Sequence, residues 1–190
     1  MPPKNRFTRS EIVQAALDIV RTEGVDAVTA RSVSARLHAS PKVIFGLFSG
    51  MEELRTELLG TAYQLYRSYL TQDMAKGEYP PYKASGMAYI RFAMEERELF
   101  RMLFMRDRSG EDQRDNTEEL QALIRLLQKN TGLNEEQARL FHLELWIYVH
   151  GIAATLVTSY VDWDISLISQ TLTDVYQGLK YRHCGKEPDQ

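Results

Sequence analysis

Residues 38–50 of this chain read HASPKVIFGLFSG. Ser40-Pro41 has the form of a helix start. Ser is a favoured cap, and Pro loses nothing at the first helical position, where its missing N–H had no partner. The helix it opens is short, with Ile44, Leu47 and Phe48 predicted on its buried side. Lys42 then falls in the first turn, where a cation is slightly unfavourable against the helix dipole. An anionic target, either a phosphate or the acceptor edge of a guanine, would explain a lysine there. Val43, Phe45 and Gly46 lie off the apolar side, and Arg31 on the preceding segment has the same potential. Lys4, Arg6 and Arg9 could form a basic arm of the kind that follows a minor groove.

Other chemistry is sparse. There is no CxxC, no HExxH and no clustered Cys/His spacing, so no metal and no cofactor is expected. Cys184 is the only cysteine, which excludes a disulfide framework and fits a reducing cytoplasm. No Ser, Cys or acid stands at a spacing that makes a triad with His150, so the chain reads as a non-enzyme. His150 follows Trp146 by one helical turn and shares its face with Ala153 and Val157. It could line a ligand pocket or be a hydrogen-bonded core histidine. Phe92, Phe100, Met102, Phe104 and Met105 suit a core, and equally a soft pocket for an apolar ligand. Tyr63 and Tyr66 could add polar tips to such a pocket.

Helices must position these residues. Thr8 and Glu11 form a capping box, Phe7 and Ile12 a hydrophobic staple, and Gly24 closes the first helix. Thr29 caps a second helix with Val28 and Val33 as its staple. With Ser40-Pro41 opening the third after His38-Ala39, two short helices joined by a tight turn make a helix-turn-helix. A long helix runs from Met51 to about Ala75, broken by Gly77 and Pro80-Pro81. A fifth covers about 82–95 and a sixth about 99–105. Residues 107–117 form a charged loop. Asn116 and Glu119 could box a seventh helix that ends at Gly132, and Asn134 caps an eighth that reaches about Tyr160. The ninth, about 165–181, repeats Ile165, Ile168, Leu172, Val175 and Leu179 at the spacing of a helix packed lengthwise on another. No strand pattern and no internal repeat is present.

At 190 residues, 44% hydrophobic and 10% aromatic, the chain has the material for a real core. No uninterrupted apolar run approaches the ~18 residues of a membrane span. The opening MPPKNRFTRS lacks the apolar stretch of a signal peptide. Net charge is −3, but residues 1–50 carry seven Lys/Arg against four acids, or +3, which leaves −6 for the rest. A basic head on an acidic body follows, divided as 1–50, 51–182 and a disordered tail 183–190.

These residues resemble a known family. Ile12, Ala15-Ala16, Gly24, Thr29, the Ser40-x-x-x-Ile44-Phe45-x-x-Phe48 run and Glu52/Glu53-Leu54 are similar to the DNA-binding domain of the tetracycline-repressor (TetR) family. Downstream, ERELFRMLFM and Trp146-x-x-x-His150-Gly151 resemble its WHG-type C-terminal domain. The resemblance implies an all-α fold, with a three-helix helix-turn-helix head and a body of about six helices for ligand binding and dimerisation. It implies that Arg31, Ser32, Ser40, Pro41, Lys42, Val43, Phe45 and Gly46 face DNA. Tyr63, Tyr66, Phe92, Phe104, Trp146 and His150 would line an effector site. Leu156, Tyr160, Leu172, Val175, Tyr176 and Leu179 would join two copies. The expected function is a cytoplasmic bacterial repressor, binding double-stranded DNA at a palindromic operator as a homodimer and released by a small apolar ligand. Five positions depart from the family pattern. His38 stands where a turn glycine is usual, Phe45 where a phosphate-binding tyrosine is usual, Gly46 at an aromatic position, Leu47 at a His/Tyr position, and Met51 at a lysine. The departures raise an alternative, a ligand-binding helical dimer with weakened or lost DNA binding.

Overall fold

The computed structural model describes residues 7–107, 109 and 118–185. Among these residues there are nine α-helices and no strand, as the periodicity predicts. They are α1 (Arg9–Glu23), α2 (Ala30–Arg36), α3 (Lys42–Phe45), α4 (Met51–Lys76), α5 (Pro81–Glu95), α6 (Arg97–Phe104), α7 (Glu118–Thr131), α8 (Glu135–Val157) and α9 (Ile165–Cys184). A single 3-10 turn, Val25–Ala27, lies between α1 and α2. Lys4, Arg6, Asn116, residues 110–115 of the charged loop and 186–190 of the tail lie outside the described residues.

The chain forms two compact units. One is Met1–Ser68 with Glu95–Arg106, the other Tyr69–Met94 with Asp107–Gln190. The expected head–body boundary at residue 50 and this division differ, because the first part of α4 and all of α6 belong with α1 to α3.

In the first unit the capping logic is realised closely. Thr8 Oγ1 accepts from Glu11 N–H while the Glu11 carboxylate accepts from Thr8 N–H at 2.7 Å. Ile12, Ala16, Ile19 and Val20 are buried on one side of α1, and Val28, Val33, Ile44, Phe48 and Leu54 are buried on the segments that follow. Each fully buried Ile, Leu or Phe contributes about 1.5–3 kcal/mol. α6 packs on α1, with Leu99 and Phe100 fully buried and Arg21 forked onto Glu96 at 2.9 and 2.7 Å. Arg9 overturns one expectation. It belongs to no flexible arm but sits in the first turn of α1, paired with Glu53 at 2.5 Å and with Glu57.

α3 also differs from expectation. It is one turn, not two, and Ser40 makes no side-chain cap. Its start is held by backbone bonds from Val43 N–H to Ser40 O and from Ile44 N–H to Pro41 O, both 3.1 Å. That tight i→i+3 pattern takes up the Val43 and Ile44 N–H groups, the donors a hydroxyl cap would otherwise accept from.

In the second unit α5 is buried nearly all round, with Tyr82, Ala84, Met87, Ala88, Tyr89 and Phe92 enclosed. The last turns of α4 brace it. Arg91 lies 4.2 Å over the Tyr69 ring and forks onto Asp73 with both bonds at 2.9 Å. Against the cost of burial, Arg91 and Lys76 hold the Asp73 carboxyl below its usual range. α7 and α9 both pack on α8.

α8 ends at Val157, short of Tyr160, where Thr158 caps it and Ser159 turns left-handed at φ 56°. By length and composition α8 is apolar enough to cross a membrane, which the search for uninterrupted apolar runs missed. Its apolar residues divide into a buried side that includes Phe141, Leu145, Val149 and Ile152 and an exposed side. α9 continues past 181 to Cys184. His183 Nε2 donates to the Glu144 carboxylate at 2.7 Å, so its last turn is tied down. Gly185 closes it in the left-handed conformation.

Candidate functional site

α2 begins with a capping box in which Thr29 Oγ1 accepts from Ser32 N–H and Ser32 Oγ accepts from Thr29 N–H. The same Ser32 hydroxyl donates to Ala27 O at 2.6 Å. Ser32 thus serves the helix start that sets the angle of α2, although it was expected among the DNA-facing residues. After α2 the chain reverses at His38, whose φ of 50° is left-handed. The reversal is sealed by Ala39 N–H to Ser34 O at 2.9 Å. It delivers α3 with Ile44 and Phe48 buried beneath it.

The opposite side of α3 faces out. Ser40, Pro41, Lys42, Phe45 and Gly46 are exposed, Val43 is half-buried, and Arg31 is exposed on α2. Among the described residues neither Arg31 nor Lys42 has a side-chain partner. Phe45 holds 54% of its surface in water. A side chain in place of Gly46 would press its Cβ to 3.3 Å from Lys42 O. The result is a small face with two uncompensated cations and a flat ring. Such a face can meet phosphates and base edges.

The expected effector residues separate into two groups. In the first unit Tyr66 meets Phe104 edge-on at 5.1 Å and Tyr63 at 5.9 Å. In the second, Trp146 stacks on His150 at 5.1 Å, while Phe92 is fully buried with Tyr69 edge-on to it.

Sequence reasoning missed the polar partners in that second group. Tyr89 Oη lies 2.9 Å from His150 Nδ1, and Tyr82 Oη lies 2.9 Å from His142 Nδ1. Two Tyr–His rungs therefore join α5 to α8. Tyr82 and Tyr89 are two turns apart, as are His142 and His150, and this shared spacing was the available signal. Burial pushes both imidazoles below their ordinary pKa and pushes the Tyr82 phenol up. Lys83 lies beside them, donating to Thr173 at 2.8 Å, its pKa lowered by burial.

Of the expected interface residues, Leu156 and Leu172 are buried within the subunit. Val175, Tyr176 and Leu179 are half-buried, and Tyr160 is 82% exposed. The large apolar side chains left in water on these helices are Leu140, Leu143, Trp146 and Ile147 on α8, with Ile165, Leu167 and Tyr181 on α9. Leu140, Leu143 and Ile147 follow one another at three and four residues, forming a single stripe.

A groove of about 460 Å³ opens in the first unit, between the end of α1, the 3-10 turn, α4 and α6. None of the six expected effector residues lines it. Among the described residues, no group of three or more His, Cys, Asp or Glu is placed to hold a metal.

Residues 82–174 match the family model of a tetracyclin repressor-like C-terminal domain. No curated protein matches the chain.

Proposed function

Because this chain belongs to the tetracycline-repressor family, we propose that it is a ligand-responsive transcriptional regulator, a repressor that binds double-stranded DNA as a homodimer in the cytoplasm of a bacterium. The observation that carries this reading is the outward side of α3. Lys42, Phe45 and Gly46 are exposed on one turn while Ile44 and Phe48 anchor it from below. Arg31 and the exposed Ser40 and Pro41 extend the same face. In a dimer, two such helices would enter successive major grooves, with half-sites about one helical turn, ~34 Å, apart.

The dimer is supported by the exposed stripe of Leu140, Leu143 and Ile147, together with Leu167 and Tyr181 on α9. Exposed apolar patches of this kind mark association sites. Tyr160, 82% exposed, lies just past the end of α8. A small, largely apolar effector would bind in the body, with the Tyr89–His150 rung and Trp146 providing its polar and aromatic contacts. By linkage, an effector that weakens DNA binding must itself bind more weakly to the DNA complex by the same factor.

Selection from a randomised duplex library, followed by salt titration of the winner, tests this reading. A palindromic winner whose affinity falls steeply with salt is expected. No enrichment would overturn it. One observation favours a second reading, a ligand-binding dimer that no longer reads DNA. The exposed ring of Phe45 has no hydroxyl to offer a phosphate, and Ser32 is occupied by its own helix start. Under that reading Phe45→Tyr with Met51→Lys creates DNA affinity that the parent lacks.

A further inference from the structure

Among the large apolar side chains on and just after α3, Ile44 and Phe48 are buried and Val43 and Leu47 are half-buried. Phe45 alone keeps more than half of its surface, 54%, in water. The turn that carries it is firmly mounted. Gly46 N–H donates to Lys42 O at 3.0 Å and Phe48 N–H to Ile44 O at 2.8 Å. Ile44 and Phe48 pin that turn from below, at 0% and 2% exposure. A phenylalanine on such a mount has few torsions to lose when something covers it. On the same side lie Pro41, one turn earlier, and Lys42, three residues earlier, both exposed. Arg31, exposed on α2, is a second cation. The two cations suit phosphates or acceptor atoms. The ring suits neither, since it has no hydroxyl with which to donate. In a major groove the apolar group that base edges present is the C5 methyl of thymine.

Resting on the DNA-reading role proposed above, we propose that Phe45 is a specificity residue whose ring packs on the C5 methyl of a thymine in each half-site. Lys42 and Arg31 hold the helix against the backbone or an acceptor edge beside it. The absent hydroxyl then costs general affinity, while the ring that remains carries sequence preference. That preference is apolar, so it depends on one methyl group and not on a hydrogen bond.

The test uses the full chain and the duplex it enriches from a randomised library. Each thymine of that duplex, on both strands, is replaced in turn by uracil, which lacks only the methyl. One position per half-site should lose about fourfold in affinity, the worth of one buried methyl group. 5-Bromouracil, whose bromine fills the methyl's place, should restore it. Phe45→Ala, at an exposed position that leaves the fold intact, should bind thymine and uracil duplexes equally. Phe45→Tyr keeps the ring and should keep the discrimination. An enriched duplex with no methyl-sensitive thymine overturns this inference and leaves the DNA-reading role standing. So does a uracil penalty that persists in Phe45→Ala, because another side chain then reads the methyl. Failure to enrich any duplex overturns the DNA-reading role, and this inference with it.

Discussion

Arg9 lays its guanidinium over the ring of Phe48, 4.2 Å from the centroid, and from there reaches three other groups. It donates to the Leu47 carbonyl at 2.6 Å and pairs with Glu53 and Glu57 on α4. One side chain thus ties the start of α1 to the end of the α3 segment and the start of α4. Arg9→Ala should lower the unfolding temperature, since it also leaves Glu53 and Glu57 facing each other without a cation. Arg9→Lys should recover only part of the loss, because an ammonium cannot reproduce the planar fork. Thermal unfolding of the two variants checks both.

Stability should respond to pH in two windows. Glu53 accepts from Ser49 N–H and from Arg9, which lowers its pKa from the usual 4.5 to about 2. A carboxylate depressed on folding adds stability above 4.5 that is lost as pH falls toward 2. His142 and His150 are held below 6.5 by burial, so the unfolded chain takes up their protons first. Their contribution is present above 6.5 and declines as pH drops below it. Unfolding followed against pH should show both limbs. Glu53→Gln should flatten the acid limb, and His142→Phe with His150→Phe the near-neutral one.

Two backbone positions should respond oppositely to substitution. Gly24 has φ 84° and ψ 169°, a region that essentially only glycine enters. Gly24→Ala should cost about 1–3 kcal/mol. His38, at φ 50°, is a side chain in a left-handed turn, and His38→Gly should stabilise by about 0.5 kcal/mol after the added freedom of the unfolded chain is counted. Denaturant titration with unchanged m-values distinguishes these effects from structural change.

If α3 reads DNA, Lys42→Ala should weaken binding about equally across sequences and lower the salt slope by about 1. Phe45→Tyr should strengthen binding by supplying a phosphate donor. Binding titrations at several salt concentrations measure both.

Self-association should depend on the outward stripe of α8. Leu143→Arg with Ile147→Asp places charges on residues 50% and 58% exposed, so the fold should survive while dimerisation weakens at least about tenfold. Sedimentation velocity reads the outcome. Leu156→Ala should instead cost stability of about 2–5 kcal/mol, as a core truncation does.

Element starts were legible because they are local. Thr8–Glu11, Thr29 and Asn134 each announce a helix by hydrogen bonds that span three residues, and each forms as read. Partnerships between helices were less legible. The Ile168–Leu172 repeat marks the apolar side of α9, but periodicity does not say whether that side meets the same chain or another. In the structure Ile168 and Leu172 are buried at home, and the exposed large apolar residues are Ile165, Leu167 and Tyr181. Arg9 was misplaced for the same reason, since nothing near it in sequence indicates Glu57, 48 residues on. The Tyr–His rungs were hidden by reading His150 alone rather than with His142 and the tyrosines of α5.

The first unit closes only with Glu95–Arg106, which returns to α1 after a long excursion of chain. A ribosome delivering this protein therefore exposes α1 to α3 well before α6, which packs on α1, has been made. For that interval the nascent chain carries an uncovered apolar seam. A fragment cut at residue 50 would carry it permanently, so this helix-turn-helix should not be transplantable as a cassette.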